Sequence, residues 1–490
     1  MMFKLLISLF ISGILILDFS GCVSIYKLPT PSVNNLFDKS LIKKTIDLHS
    51  QNNQTYIPGL HDEVLYYLDM GMLNYYAGNY RLSNEFLSKA EIAIENNFTK
   101  SLSQYGASLL LDDRTLSYCG EDYEDIYLNV FKALNFFKLN NIEASGVEFR
   151  RVNEKLTLLQ DKYNKLSHEL NQARESKKVK RSFKTSKVRF HNSALSRYLS
   201  AILYSFEKKY DDARIDIQHL YTAFQQQRIM YRFQMPKRIL TQYECLIDTQ
   251  PEICLKPEKS ANIHVISFVG RSPEKKIKTY WIITKKNRII IAQKKSGSGR
   301  LDIIPWPGIK SGYHFKFSLP YLKKRKNSVR KIVLFIDDNH YYLEKLEDMA
   351  SIAVETFNYK KNLIYLKTYI RATIKGLLAA ELKKGIEQKK YNKKTKKKKD
   401  LSLGDILWIE TQKILIDVAL EALERADVRS SSFFPAFAYM GEFFVKPGSH
   451  HIKIVYYNEK NKPLKETVFG DKSITLNGLN LFQSSFYGIQ

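Results

Sequence analysis

The sequence contains no complete catalytic signature. HELNQ at His168 begins like a zinc-protease helix, but Gln172 stands where the second imidazole is required. GSGRLD at Gly297 has two glycines and lacks the rest of a phosphate-binding loop. There is no glycine-flanked serine elbow, and none of the four cysteines forms a close pair suited to a metal. His450 and His451 are adjacent, so on a strand they point to opposite faces and do not share an ion. No catalytic residue, metal or cofactor is expected. Acidic residues are also scarce: 50 Asp and Glu against 77 Lys and Arg leave a net charge of +27. That excess favours anionic partners such as lipid head groups, acidic polymers or nucleic acid, while a general lean toward lysine gives the same number. With 44% hydrophobic residues over 490 positions, the chain has material for two or three domains and is not disordered as a whole.

Long apolar runs are missing too. The stretch from Leu5 to Leu17 is shorter than the roughly 20 residues needed to cross a bilayer, and Asp18 closes it. With Lys4 before it and Ser20, Gly21 and Cys22 after it, the layout is that of a secretory signal. Small, small, Cys at the end of an apolar run resembles the lipobox of bacterial lipoproteins. The resemblance implies cleavage after residue 21 and a diacylglyceryl group on the Cys22 sulfur, so that the membrane is one partner. Two or more acyl chains, at about 0.8 kcal/mol per buried methylene, hold a protein to a bilayer stably. Residues 22–60 are expected to be a tether, and export argues against a nucleic-acid partner. In an oxidising envelope Cys245 and Cys254 are either a loop disulfide or two thiols, and Cys119 is left over.

Residues 61–245 read as helical. Leu65, Leu68, Met72 and Tyr75, then Leu82, Phe86 and Ala93, recur at spacings of three, four and seven on either side of Gly78 and Asn79, which predicts a helical hairpin. Two later segments match it: Gly71, Ala133 and Ala201 are small in the first helix. Ser83, Ser145 and Ala213 are small in the second, and Leu87, Phe149 and Ile217 follow four positions on. Small residues let two helices approach, and large ones fill the gap to the next hairpin. The positions after each turn, Tyr80, Ile142 and Tyr210, are 62 and 68 residues apart, near twice a tetratricopeptide period of roughly 34. Leu156, Leu159, Tyr163, Leu166, Leu170 and Ala173 form a short apolar stripe expected to pack on neighbouring hairpins.

From residue 256 the period alternates. Runs such as NIHVISFV, RIIIAQ and RKIVLFID predict strands over 256–357, and FFPAFAYMGEFFV and HHIKIVYYN predict more over 433–490, with a strand pair meeting across Pro447 and Gly448. Residues 361–426 read as a helical pair whose tip, 389–399, has eight lysines in eleven positions and is expected to be a solvated loop. The fold class expected is multidomain α+β: an N-terminal all-α, tetratricopeptide-like hairpin array, then a mostly antiparallel β-sandwich-like domain interrupted by a helical pair.

Several motifs recur in one order: YCGEDYE (Tyr118, Gly120, Glu121, Glu124), VEFRRVN (Glu148, Arg150, Arg151, Asn153), GRSP at Gly270, ADVRS (Asp427, Arg429), KPGSHHIKI and GLNL. Together they resemble an uncharacterised family of bacterial envelope lipoproteins with tetratricopeptide-like hairpins. The resemblance implies a fold and a membrane-anchored location outside the cytoplasm, and no assigned reaction. The lysine-rich run departs from that family's pattern. The candidate residues are Tyr118, Gly120, Glu121, Glu124, Arg150, Arg151, Asp427 and Arg429. Either they converge in a cleft, as an enzyme acting on an envelope polymer requires, or Glu121 and Glu124 load the first turn of a helix. The function expected is a non-enzymatic, lipid-anchored scaffold for a protein partner, with the polymer-acting enzyme or an anionic lipid or glycan binder as alternatives.

Overall fold

A computed structural model describes residues 27–53, 62–108, 116–175, 187–255, 260–293, 300–305, 309–312, 314–394 and 426–488. The expected signal segment, Cys22 and the second half of the expected helical pair lie outside the described residues.

The helical region comes first, in hairpins: α1 (Pro31–Asp38) with α2 (Ile42–Asn52), α3 (Glu63–Ala77) with α4 (Tyr80–Ser108), α5 (Asp122–Lys138) with α6 (Ile142–Glu175), and α7 (Ala194–Phe206) with α8 (Tyr210–Gln226). Two shorter helices, α9 (Lys237–Asp248) and α10 (Pro251–Leu255), follow. The four turns share one design. Ser40, Gly78, Asn140 and Lys208 all adopt positive φ, between 59° and 81°. The next residue in each donates its N–H back to the carbonyl five positions earlier, as in Asn79 to Asn74 at 2.9 Å and Asn141 to Phe136 at 2.9 Å. This left-handed cap satisfies carbonyls that a helix end otherwise leaves orphaned. Helix contact is equally repetitive. Ser83 Oγ donates to the Gly71 carbonyl at 2.8 Å, and Ser145 Oγ to the Ala133 carbonyl at 2.9 Å. In the last hairpin Ala201 and Ala213 stand there, both buried.

Two expectations change. No further hairpin lies between the matched units among the described residues; the long spacing arises because α4 runs 29 residues and α6 runs 34. Both of these second helices extend well beyond the turn, a departure from a regular repeat of roughly 34 residues for two helices. The stretch expected as a tether holds α1 and α2, whose Val33 and Phe37 are fully buried. Phe37 stacks on Tyr487 at 4.6 Å and meets Phe433 edge-on at 4.8 Å, so the start of the chain is locked against its end.

Three four-stranded sheets follow. The strands before the long helix are β1 (Ala261–Val269), β2 (Glu274–Lys285), β3 (Arg288–Ala292), β4 (Arg300–Pro305), β5 (His314–Lys323), β6 (Lys331–Ile336), β7 (Asn339–Tyr342) and β8 (Glu344–Glu347). After α11 (Met349–Lys394) come β9 (Phe437–Val445), β10 (Gly448–Tyr457), β11 (Pro463–Ile474) and β12 (Leu481–Phe486). Sheet one is ordered β12-β1-β9-β8, sheet two β11-β10-β6-β7 and sheet three β4-β3-β2-β5. The pairings are antiparallel except that of β1 with β12.

Period two explains the layering. Ile263 and Val265 of β1 face a core shared with Ile332 and Leu334 of β6 and Ile452 and Ile454 of β10, which packs sheet one on sheet two. The alternate residues Ile266 and Phe268 join the helical core, where Phe268 meets Phe131 at 5.1 Å. Each such fully buried side chain contributes about 1.5–3 kcal/mol. Sheet one is thus a middle layer, buried on both faces. Sheet three is not hydrogen-bonded to the other two and packs on α11, with Phe317 edge-on to Tyr369 at 5.1 Å.

The two strand groups are therefore interleaved, since β1 pairs with β9 and β12. The pair expected across Pro447 and Gly448 is not a hairpin: β9 belongs to sheet one and β10 to sheet two, so the turn is a corner between layers. The helix assigned to begin at residue 361 begins at Met349, inside the stretch assigned to strands, and it continues through Lys394 into the lysine run expected as a loop. Among the described residues no helix is long and apolar enough to cross a membrane.

Candidate functional site

Six of the eight motif residues meet where α5 begins. Gly120 reaches φ 74°, and a Cβ there would lie 3.1 Å from Ile94, so glycine both makes the bend and fits the gap. Glu121 and Glu124 then occupy the cap and third positions of α5, and Glu124 Oε2 accepts the Glu121 N–H at 2.9 Å. This is a capping box, with Asp122 and Asp125 adding negative charge where the helix end is positive.

Glu124 is fully buried and holds four donors. Tyr118 Oη donates to Oε2 at 2.8 Å beside the Glu121 N–H, while Tyr123 Oη at 3.1 Å and the Ser431 N–H at 2.6 Å donate to Oε1. Burial, reinforced by the neighbouring Glu121 charge, pushes its carboxyl up to about 7 despite those donors. Glu121 binds Lys275 and, at 2.9 Å, Lys360. Asp122 binds Lys162 at 2.7 Å and accepts from Tyr163. Burial opposes ionisation of Asp122, but Lys162 and Lys360 prevail and hold it below the usual carboxylate range.

The other half of the site arrives from far along the chain. Arg429 forks between Asp62 at 2.8 Å, Asp427 at 2.9 Å and the Leu116 carbonyl at 3.0 Å, and its guanidinium lies 5.5 Å from the Tyr118 ring. Two residues on, Ser431 donates both to Glu124 and, through Oγ at 2.7 Å, to Asp69 of α3. The Ser432 carbonyl accepts from Arg271 Nε at 3.1 Å, and Arg271 Nη1 also reaches Asp38 at 3.2 Å. Burial, then the nearby Arg325, lowers the Arg271 guanidinium to about 10. The segment 427–432 is thus a clasp pinned to helices α1, α3 and α5 and to the loop after β1.

Arg150 and Arg151 are not part of it. Arg150 is exposed, and Arg151 sits 3.3 Å from Glu91 and 3.6 Å from Glu148 in a second network across α4, α5 and α6. There Lys132 bridges Glu91 at 2.7 Å and Glu148 at 3.1 Å. Burial opposes ionisation of Glu91, but Lys155 and Lys132 hold it down at about 2.

Sequence reasoning missed Asp69, Arg271 as a ligand of the clasp, and Glu347. Arg271 had a signal in GRSP; Asp69 and Glu347 had none, because each acts on a distant segment. Glu347 at the end of β8 accepts from the Leu195 N–H and from Ser193 Oγ at 2.8 Å, capping α7, and from Tyr127 Oη. Burial pushes its carboxyl up to about 7 as well, against those donors.

Neither of two cavities touches the clasp. One of about 410 Å³ lies beside Phe224 and Arg232, and one of about 30 Å³ lies beside Gln242, His264 and Glu442. Among the described residues no group of three His, Cys, Asp or Glu side chains is arranged to hold a metal. His450 bonds Asp337 at 2.7 Å and His451 bonds Asp471 at 2.9 Å, on separate partners. Cys245 and Cys254 form a disulfide with Cα atoms 5.8 Å apart, tying α10 to α9, and Cys119 is half-buried outside any disulfide. Comparison with protein-family models, curated proteins and solved structures finds no match.

Proposed function

We propose that this chain is a lipid-anchored envelope protein that works by binding another protein through its helical hairpins, in a tetratricopeptide-like manner, rather than by catalysis. The observation that carries the non-catalytic part is the pairing of the clasp. Glu121, Asp122, Glu124, Asp427 and Arg429 are each engaged by partners fixed in the fold, and none lines either cavity. A general acid or base must face a space where substrate can sit. The anchor rests on the motif ending in Cys22, and the family likeness rests on the ordered series of motifs from YCGEDYE to GLNL.

An array of four described hairpins offers an extended surface to a peptide or partner helix. In-cell crosslinking followed by detergent extraction tests the reading, with Cys22→Ala as the comparison and metabolic fatty-acid labelling to establish the anchor. The expected result is fatty-acid incorporation lost in Cys22→Ala, and a specific crosslinked protein product that depends on the anchor. Absence of label from the native chain would overturn the membrane placement, and products identical to those of an unrelated envelope control would overturn the scaffold.

A further inference from the structure

The larger cavity has features that neither the clasp nor the scaffold uses. It opens where α8 ends, and its walls include Phe224, Tyr231, Phe233 and Met235, with the exposed Arg228 and Arg232 beside them. Phe224 packs 4.8 Å from Tyr231 and 5.5 Å from Phe233, forming an aromatic wall. No acidic side chain lines the cavity.

Several guanidinium groups elsewhere in the fold hold carboxylates, as Arg197 holds Asp216, Arg238 holds Glu442 and Arg429 holds Asp62. Among the described residues Arg228 donates to the Gln225 carbonyl alone, at 3.3 Å, which offsets the negative end of α8, and Arg232 has no ion-pair partner. The backbone that carries them is fixed in place. Gln227 accepts the His191 N–H at 2.7 Å and donates to the Asn192 carbonyl at 2.9 Å, and Tyr231 Oη accepts the Ala194 N–H at 3.0 Å. Each arginine directly follows one of these buried anchors, so the points from which the two side chains leave the backbone are fixed.

We propose that this crevice binds a small organic anion, a phosphate or carboxylate joined to an apolar or aromatic group. The guanidinium forks match planar or tetrahedral oxyanions. The rings accept the apolar body, and about 410 Å³ is within the range of small-molecule sites. The shared chemistry is that of a soluble organic acid and of an anionic lipid head with the first part of its chain.

Calorimetric titration of the full chain in neutral detergent with phenyl phosphate tests this. Saturable binding is expected, weakened about tenfold or more in Arg228→Gln/Arg232→Gln and about tenfold tighter than for inorganic phosphate. Phe233→Ala should weaken phenyl phosphate and leave inorganic phosphate unchanged. Competition by phosphatidylglycerol vesicles assigns the site to a lipid head, and its absence to a soluble acid; either supports the crevice as the site. Absence of saturation, equal binding by the double arginine variant, or phenyl phosphate binding no better than inorganic phosphate would each overturn it.

Discussion

Replacing Glu347 with glutamine is expected to remove a pH dependence from the protein's stability without dismantling the fold. The side chain is fully buried at the end of β8 and caps α7. Its two oxygens are not equivalent. Oε2 takes a backbone N–H, from Leu195, which cannot turn, whereas Oε1 takes hydroxyls of Tyr127 and Ser193, which can. A glutamine carbonyl can keep the backbone bond while its NH2 donates to the hydroxyl oxygens, so the substitution leaves no donor facing a donor. In the native chain burial raises the carboxyl from its ordinary 4.5 to about 7. Between those values the folded protein holds a proton that the unfolded chain has released. The carboxyl therefore stabilises fully below about 4.5, and that contribution is lost as the pH rises through about 7. The difference converts to about 3 kcal/mol. Urea unfolding of the full chain in neutral detergent, followed at pH 4.5 and pH 8, measures it. The native protein should lose more stability across that interval than Glu347→Gln does, by about 3 kcal/mol. Equal losses would refute the assignment of a raised carboxyl to this position.

Glu124→Gln should be worse at every pH, costing about 2–4 kcal/mol in urea unfolding, because both oxygens of Glu124 take backbone N–H groups, from Glu121 and Ser431, and an amide NH2 must face one of them. Arg429→Met leaves Asp62 and Asp427 without their shared cation and should loosen the clasp, seen as faster hydrogen exchange at Ser431 and a loss of about 3–5 kcal/mol. Gly71→Ala places a Cβ 2.6 Å from Leu87 Cδ2; overpacking of about 1–3 kcal/mol should outweigh the roughly 1 kcal/mol of helix propensity gained, lowering Tm. Asn140→Gly relieves a side chain held at φ 59° and should raise Tm slightly, whereas Gly78→Ala, at φ 81°, should lower it.

The hairpins were legible because their signals are local. Spacings of three and four marked the helix faces, and the alignment of Gly71 with Ala133 and Ala201 located positions that are buried at helix contacts. The first hairpin was not legible because α1 buries only Val33 and Phe37, and the ring partners of Phe37, Phe433 and Tyr487, are distant in sequence. Strand positions were readable from branched and aromatic runs, but sheet membership was not: β9 and β10 adjoin in sequence and still enter different layers. The lysine run argued for a loop through charge repulsion, yet α11 continues into it as far as Lys394. At the site, ADVRS and YCGEDYE named the two sides of the clasp without showing that they touch.

Residue pattern alone determined the helix faces of the later hairpins, the turn at Gly78 and Asn79, the alternation of strands and the shortage of acidic charge, since the structural signals among these depend on neighbours within a few turns. Tertiary structure decided what the acids do. Glu121, Glu124 and Glu347 brace helix starts because lysines, tyrosines and backbone N–H groups from remote segments converge on them. Burial and pairing are properties of that convergence, and no local spacing encodes them.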